Sequence, residues 1–277
     1  MATGDEISSL KNPRVKEARA LLNRRHREKT GKILLEGRRL IQDALQQDLQ
    51  PLEFFYTKHA LERSHENLSL QSIMRTRGAK DYLVPDAVIR SFSATVNPQG
   101  LVGIFEKPSP DLPNIPTFSL ICDEVHDPGN LGSLLRCAAA AGVHFVALTP
   151  GCADAWGLKA LRAGMGAQFR VSLCQGMSWP SIVECMKRSN TTIRIAEGCA
   201  EKDYALVDWS VPSALVVGSE SIGPSKAALS AGHERIAIPM SDDVESLNVA
   251  MAGAIILFEA KRQRNHVAQT NGFVQHP

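Results

Sequence analysis

Apolar residues recur along this chain in two alternating patterns, short unbroken runs and three-to-four-residue spacings, as strands and helices do when they follow one another. Val15, Ala18, Leu21 and Leu22 share a helical face, so residues 7–29 read as one basic helix. Lys32-Ile33-Leu34-Leu35-Glu36-Gly37 reads as a strand that stops at glycine. Leu40, Ile41, Ala44 and Leu45 predict a helix over 38–47. Strands follow at 52–56, 82–84 and 100–106, with a helix over 85–92. The front of the chain is therefore a small α/β module.

Prolines at 108, 110, 113 and 116 remove amide donors and favour extended backbone, so 107–117 reads as a linker. Beyond it, a buried-type strand at 118–123 is followed by a helix over 131–141, a strand at 145–148 and a helix over 156–163. Further strands fall near 169–173, 194–197, 214–218 and 235–239, and a long helix runs from about 246 to 264. Short apolar strands alternating with helices predict a mostly parallel sheet covered on both faces. The division expected is 1–106, a linker over 107–117, a second domain over 118–265 and a frayed tail over 266–277.

Charge sharpens this division. The chain carries 31 Lys+Arg and 29 Asp+Glu over 277 residues, a net charge of +2. Residues 1–106 hold 17 basic against 13 acidic side chains, and residues 11–39 hold 11 against 3. A basic front on a nearly neutral body suits a polyanion, though a solvated helical face would have the same composition. The six cysteines include no CxxC pair, which argues against a zinc or disulfide framework and for a reducing compartment. No metal site is expected. No run is long enough to span a bilayer, and the first residues lack a secretory core. A cytoplasmic setting is expected, with a mitochondrial or plastid one if a transit peptide has been removed.

Candidate chemistry lies where strands end. Asp127-Pro128-Gly129-Asn130 makes an entry turn into the helix carrying Arg136, and Asn130 can cap that helix. Arg136 is flanked by Leu131, Leu134, Leu135, Ala138 and Ala139, so its guanidinium needs an anion or an opening. Val216-Val217-Gly218-Ser219-Glu220-Ser221-Ile222-Gly223 places glycines around Glu220 directly after a strand. Ile238-Pro239-Met240 leads through Glu245-Ser246-Leu247-Asn248 into an apolar helix, with Ser246 as the expected cap and Asn248 inside it. That helix also suits a deep core or a dimer interface. Arg162-Ala163-Gly164-Met165-Gly166-Ala167 is a small-residue turn fit for close packing or for a nucleotide cleft.

The first three of these segments, in chain order, resemble the signature motifs of the SpoU (TrmH) family of RNA 2′-O-ribose methyltransferases, of the SPOUT superfamily. The likeness covers roughly 118–264 and extends to the front, where Lys32–Gly37 is similar to an L7Ae/L30e-like substrate-binding domain. The resemblance implies an α/β fold with a deep trefoil knot, S-adenosyl-L-methionine as cofactor, RNA as substrate and a homodimer. Ribosomal RNA and guanosine are favoured, with a transfer-RNA enzyme or a non-catalytic RNA-binding protein as alternatives. It casts Asn130, Arg136, Glu220, Ser246 and Asn248 as the catalytic set. Val217, Gly218, Glu220, Gly223, Ile238, Met240, Ser246 and Leu247 would line the cofactor pocket. Arg14, Lys16, Arg24, Arg25, Arg27, Lys32, Arg38, Arg39 and Arg162 would contact RNA. Arginine is protonated at any accessible pH, so Arg136 is expected to hold a phosphate rather than to act as base. Ser219 and Pro224 depart from the family pattern, which has asparagine and an aliphatic residue there.

Overall fold

The computed structural model describes residues 5–273 apart from 94, 96, 110–114, 242, 243 and 245. Part of the expected linker and tail, and Glu245, therefore lie outside the described residues. The chain divides into two compact units, Met1–Ser109 with Trp156–Phe169, and Pro110–Ala155 with Arg170–Pro277. Residues 156–169, read from sequence as part of the second module, thus pack with the first.

The first unit, with elements numbered in chain order, has β1 (Asp5–Glu6), α1 (Pro13–Ala20), α2 (Arg24–Thr30), β2 (Lys32–Glu36), α3 (Arg38–Gln46) and β3 (Pro51–Tyr56). It continues with α4 (Lys58–Glu62), α5 (His65–Thr76), β4 (Lys80–Leu83), α6 (Asp86–Ser91) and β5 (Leu101–Glu106). Its mixed sheet runs β1-β4-β3-β5-β2, with β5 antiparallel to both neighbours. Val15, Ala18, Leu21, Phe55, Phe92 and Val102 fill one side. The single helix expected over 7–29 is two, because Asn12 and Asn23 each accept a backbone amide two residues on and start a helix of their own. Helices α4 and α5 escaped the sequence reading, since α5 buries polar Asn67 and Gln71 among its inward residues and so blurs the apolar period. Helix α8 (Leu158–Gly164) belongs to this unit, and Leu158 packs on its core.

The second unit has β6 (Phe118–Cys122), α7 (Pro128–Ala141), β7 (Phe145–Leu148), β8 (Ser172–Gln175), α9 (Trp179–Arg188) and β9 (Thr192–Ala196). Then come β10 (Ser213–Val217), α10 (Lys226–Ala231), β11 (Glu234–Ile236) and α11 (Val249–Phe273). All six strands are parallel, in the order β11-β9-β10-β6-β7-β8. Every residue of β6, β7 and β10 is buried, as expected for a parallel sheet covered on both faces. The strand expected at 169–173 begins at Ser172, because 167–169 form a 3-10 turn. Helix α11 continues nine residues past Arg264, where a frayed end was expected.

Helix α11 lies against α7, and its Gly253 allows the approach: a Cβ there would collide with Leu134. Further along, Arg264 donates to the carbonyls of Thr117 (2.8 Å) and Val211 (2.7 Å) and lies over the Phe118 ring. The helix is thereby pinned to the strand starts at one end and reaches the strand ends at the other. All six cysteines are free thiols. No helix among the described residues is long and apolar enough to cross a membrane.

Candidate functional site

The order of the parallel sheet reverses at β6, whose neighbours β10 and β7 run away from it on opposite sides. The carboxyl ends of strands at such a switch point diverge and leave a crevice for a ligand. Three loops meet there.

The first follows β10. Ser219 N donates to the Gly223 carbonyl (3.0 Å) and Gly223 N returns a bond to the Ser219 carbonyl (2.9 Å), closing a tight loop. Gly223 takes a φ of +76°, a left-handed value that suits glycine. A Cβ on Gly218 would clash with the backbone of Gly223 and Pro224. The loop is held from below by Asp123, which is 1% exposed at the end of β6. Its carboxylate accepts bonds from Ser225 N (2.8 Å), the Trp179 indole (3.0 Å) and the Thr149 hydroxyl (3.2 Å).

The second loop opens α7. Asp127, not Asn130, caps this helix, accepting from the amides of Gly129 (2.7 Å) and Asn130 (2.9 Å). Asn130 therefore sits in the first turn with its own amide group released. Its Nδ2 donates to Glu220 Oε1 (2.9 Å), while its Oδ1 accepts from Asn248 Nδ2 (3.0 Å). Burial pushes the Glu220 carboxyl up, but the Asn130 amide and backbone amides, those of His126 and Asp127 among them, outweigh it and hold the group below the usual carboxylate range.

The third loop precedes α11. The helix starts at Val249 and its cap is Asn248, which accepts from Ala250 N (2.9 Å) and Met251 N (3.4 Å). Ser246 is not the cap and Asn248 is not an interior helical residue, in contrast to the expectation from sequence. Asn248 is exposed, and its amide is bonded to the helix's own N–H groups and to Asn130. A chain of three side chains thus links the start of α11 through the start of α7 to Glu220.

Between the first and third of these loops lies a cavity of about 460 Å³. Val217, Gly218, Glu220, Gly223, Ile238, Met240, Ser246 and Leu247 all line it. So do Gly198 and Cys199 beyond β9, and Ala252 and Ile256 of α11, which the sequence reading missed. The signal for the first pair in the sequence is a glycine two residues past an apolar strand. Arg136 does not line the cavity. It is exposed on α7 and forms no ion pair or side-chain hydrogen bond among the described residues. Asn130 and Asn248 reach the site through Glu220 rather than through the cavity wall.

The basic front is less uniform than its composition. Arg14 pairs with Glu53 (2.7 Å), Arg24 with Glu28 (2.8 Å) and Arg38 with Glu66. Arg27 is buried and donates to the Leu21 carbonyl, and burial lowers its pKa. It is a structural group that braces the α1–α2 corner, which corrects its place among the RNA-contacting residues. Lys16, Arg25 and Arg39 are exposed and Lys32 half-buried, without an ion pair among the described residues. Arg162 is half-buried in α8.

Residues 117–258 match the SpoU rRNA Methylase family, and residues 12–103 match the MRM3-like substrate binding domain. The chain is 36% identical over 300 residues to the mitochondrial rRNA methyltransferase 3 of Mus musculus, covering 87% of this chain and 70% of that protein. It is 30% identical to the 23S rRNA (guanosine(2553)-2′-O)-methyltransferase of Bacillus subtilis, covering 92% and 99% of the two chains. The AdoMet-bound crystal structure of an rRNA methyltransferase from Sinorhizobium meliloti superposes with a TM-score of 0.81 at 30% identity, over 93% of this chain and 97% of that one.

Proposed function

Because this chain belongs to the SpoU rRNA methylase family, we propose that it methylates the 2′-hydroxyl of a ribose in ribosomal RNA, guanosine foremost, using S-adenosylmethionine. The observation that carries this reading is the convergence of the loop after β10 and the loop before α11 on one cavity, whose Glu220 is joined by hydrogen bonds to Asn130 and through it to Asn248.

The residues present suit the cofactor. The cavity has the size of a small-molecule site, and its wall at Gly218 has no room for a side chain, so backbone is what a ligand meets there. The apolar groups of Ile238, Leu247 and Ile256 would hold its flat, uncharged part, and the Glu220 carboxylate would attract its sulfonium or ammonium group. When bound, S-adenosylmethionine supplies a sulfonium methyl whose transfer to the 2′-oxygen releases the hydroxyl proton.

This chain's own contribution is alignment. Glu220 is held ionised by its donors and is a poor proton acceptor near neutral pH, and Arg136 is a permanent cation. A carboxylate held ionised and a guanidinium, which carries donors only, both make poor general bases, so orientation of the reacting groups supplies the larger share of the barrier reduction. Arg136, exposed and without a side-chain partner among the described residues, binds an RNA phosphate. The unpaired cations of the front module bind backbone phosphates, and the module reads RNA shape.

The working unit is a homodimer. Met251, Ile255 and Phe258 form an exposed apolar stripe on α11, with Met251 65% exposed. Replacing Met251 and Phe258 by aspartate should convert the dimer to monomer in light scattering. A wild-type monomer at micromolar concentration would refute this. The trefoil knot and a cytoplasmic setting, or a mitochondrial one as in the mammalian relatives, belong to the same reading.

Tritium transfer from labelled cofactor to ribosomal or transfer RNA tests the reaction. Label in the 2′-O position of ribosomal RNA is expected. Label confined to transfer RNA would move the substrate, and no label in any RNA would favour a binding protein of the same fold.

A further inference from the structure

The first unit holds a second cavity, of about 330 Å³, that the methyl-transfer site does not use. Its walls come from the Glu36–Gly37 corner, α3, Thr95, Asn97 and Gln99, and the end of α8. Leu40, Leu161 and Met165 make apolar surfaces. Glu36 and Asp43 bring carboxylates, and Arg39 and Arg162 bring guanidiniums.

The backbone is shaped to form this hollow. Gly166 turns with a φ of +76°, and a Cβ there would meet the Asp43 carboxylate. Met165, the residue before it, adopts a left-handed φ of +48°, unusual for a residue with a side chain. The Glu36 carboxylate is oriented by the hydroxyls of Ser93 and Thr95, the latter at 2.7 Å.

We propose that this cavity binds one unstacked nucleobase of the RNA, which rests on the RNA-methylating reading above. Proteins that read single-stranded RNA splay a base out, pack its flat faces on side chains and bond its edge. Met165 and the exposed edge of Leu40 supply the packing, with the fully buried Leu161 behind them. Two carboxylates accept hydrogen bonds and donate none, so they select an edge rich in N–H groups. Guanine, with its ring N–H and amino group side by side, matches that demand, whereas uracil offers one N–H between two carbonyls. Arg39 and Arg162 can neutralise the phosphates on either side of the splayed nucleotide.

Titration of the full chain with guanosine and uridine 5′-monophosphates tests this, with the cofactor site filled by S-adenosylhomocysteine. Guanosine monophosphate should bind, and more tightly than uridine monophosphate. Arg162→Ala should weaken that binding about tenfold. Asn97→Trp, an exposed position at the rim, should block it while the affinity for S-adenosylhomocysteine stays unchanged. Equal binding of the two nucleotides, binding unaltered by both variants, or no binding at all would overturn the proposal. The two readings fail separately. Normal RNA methylation by both variants with an unchanged KM removes the base pocket and leaves the enzyme, whereas specific nucleotide binding without methylation of any RNA does the reverse.

Discussion

At the scale of single residues, Asn130 links the parts of the site. Released from capping by Asp127, it donates to Glu220 and accepts from Asn248 at once. Asn130→Ala should raise the Glu220 pKa, because a donor to its ionised form is lost. Glu220 is depressed in the folded state, so its stabilising contribution is present above the ordinary value of 4.5 and is lost as pH falls through the lower folded value. In Asn130→Ala that contribution should be smaller and its loss complete at higher pH. Carbon-13 NMR of the Glu220 carboxyl follows it directly, and an unmoved titration curve would refute the linkage. Asp123 acts on the cavity at one remove, by fixing Ser225 just past Pro224. Asp123→Ala strands three donors, each at a cost of about 1–3 kcal/mol. We expect a lower urea midpoint and weaker S-adenosylmethionine binding, with Asp123→Asn milder in both. Cofactor affinity equal to wild type in calorimetry would separate Asp123 from the site.

At the scale of elements, α11 ties the site to the rest of its unit. Its first turn presents Asn248 to Asn130, its middle packs Gly253 on Leu134, and Arg264 anchors it about 24 Å along the axis from Asn248. Gly253→Val should force α11 off α7 and cost about 1–3 kcal/mol in stability. Because the cap then moves away from Asn130, cofactor affinity should fall with it. A stable variant with wild-type affinity would show that the helix contact is dispensable. The exposed stripe of the same helix carries the dimer proposal, so packing and assembly can be separated by comparing Gly253→Val with the aspartate variants.

At the scale of the whole molecule, the charge excess of residues 11–39 overstates the cations available to a polyanion. Arg14, Arg24 and Arg38 are paired within the chain and Arg27 is buried. The triple variant Lys16→Ala, Arg25→Ala, Arg39→Ala should therefore weaken RNA binding and lower the slope of log K against log salt by about 2–3. Arg14→Ala should change the slope little. Equal changes in the two variants would mean that the internal pairs open on binding.

The alternation of strands and helices was written in the apolar pattern, because a sheet covered on both faces demands unbroken apolar runs. So were the three strand-end segments, where glycine and short polar residues stand at abrupt ends of those runs. Helices α5 and α10 carry little apolar period, one burying polar residues and the other being six residues long, whereas α9 does carry one, in Ile182, Cys185 and Met186. The exact caps were not legible: Asp127 and Asn130, like Ser246 and Asn248, are all good caps, and only the tertiary position of each helix start chose between them. The packing of residues 156–169 with the first unit, the pairing that withdraws several arginines and the convergence of distant loops on one cavity depend on long-range approach. Local sequence determines what each segment can form, but which side chains meet is decided by packing, since charge pairs and hydrogen bonds across 90 or 118 residues leave no periodic trace in the chain.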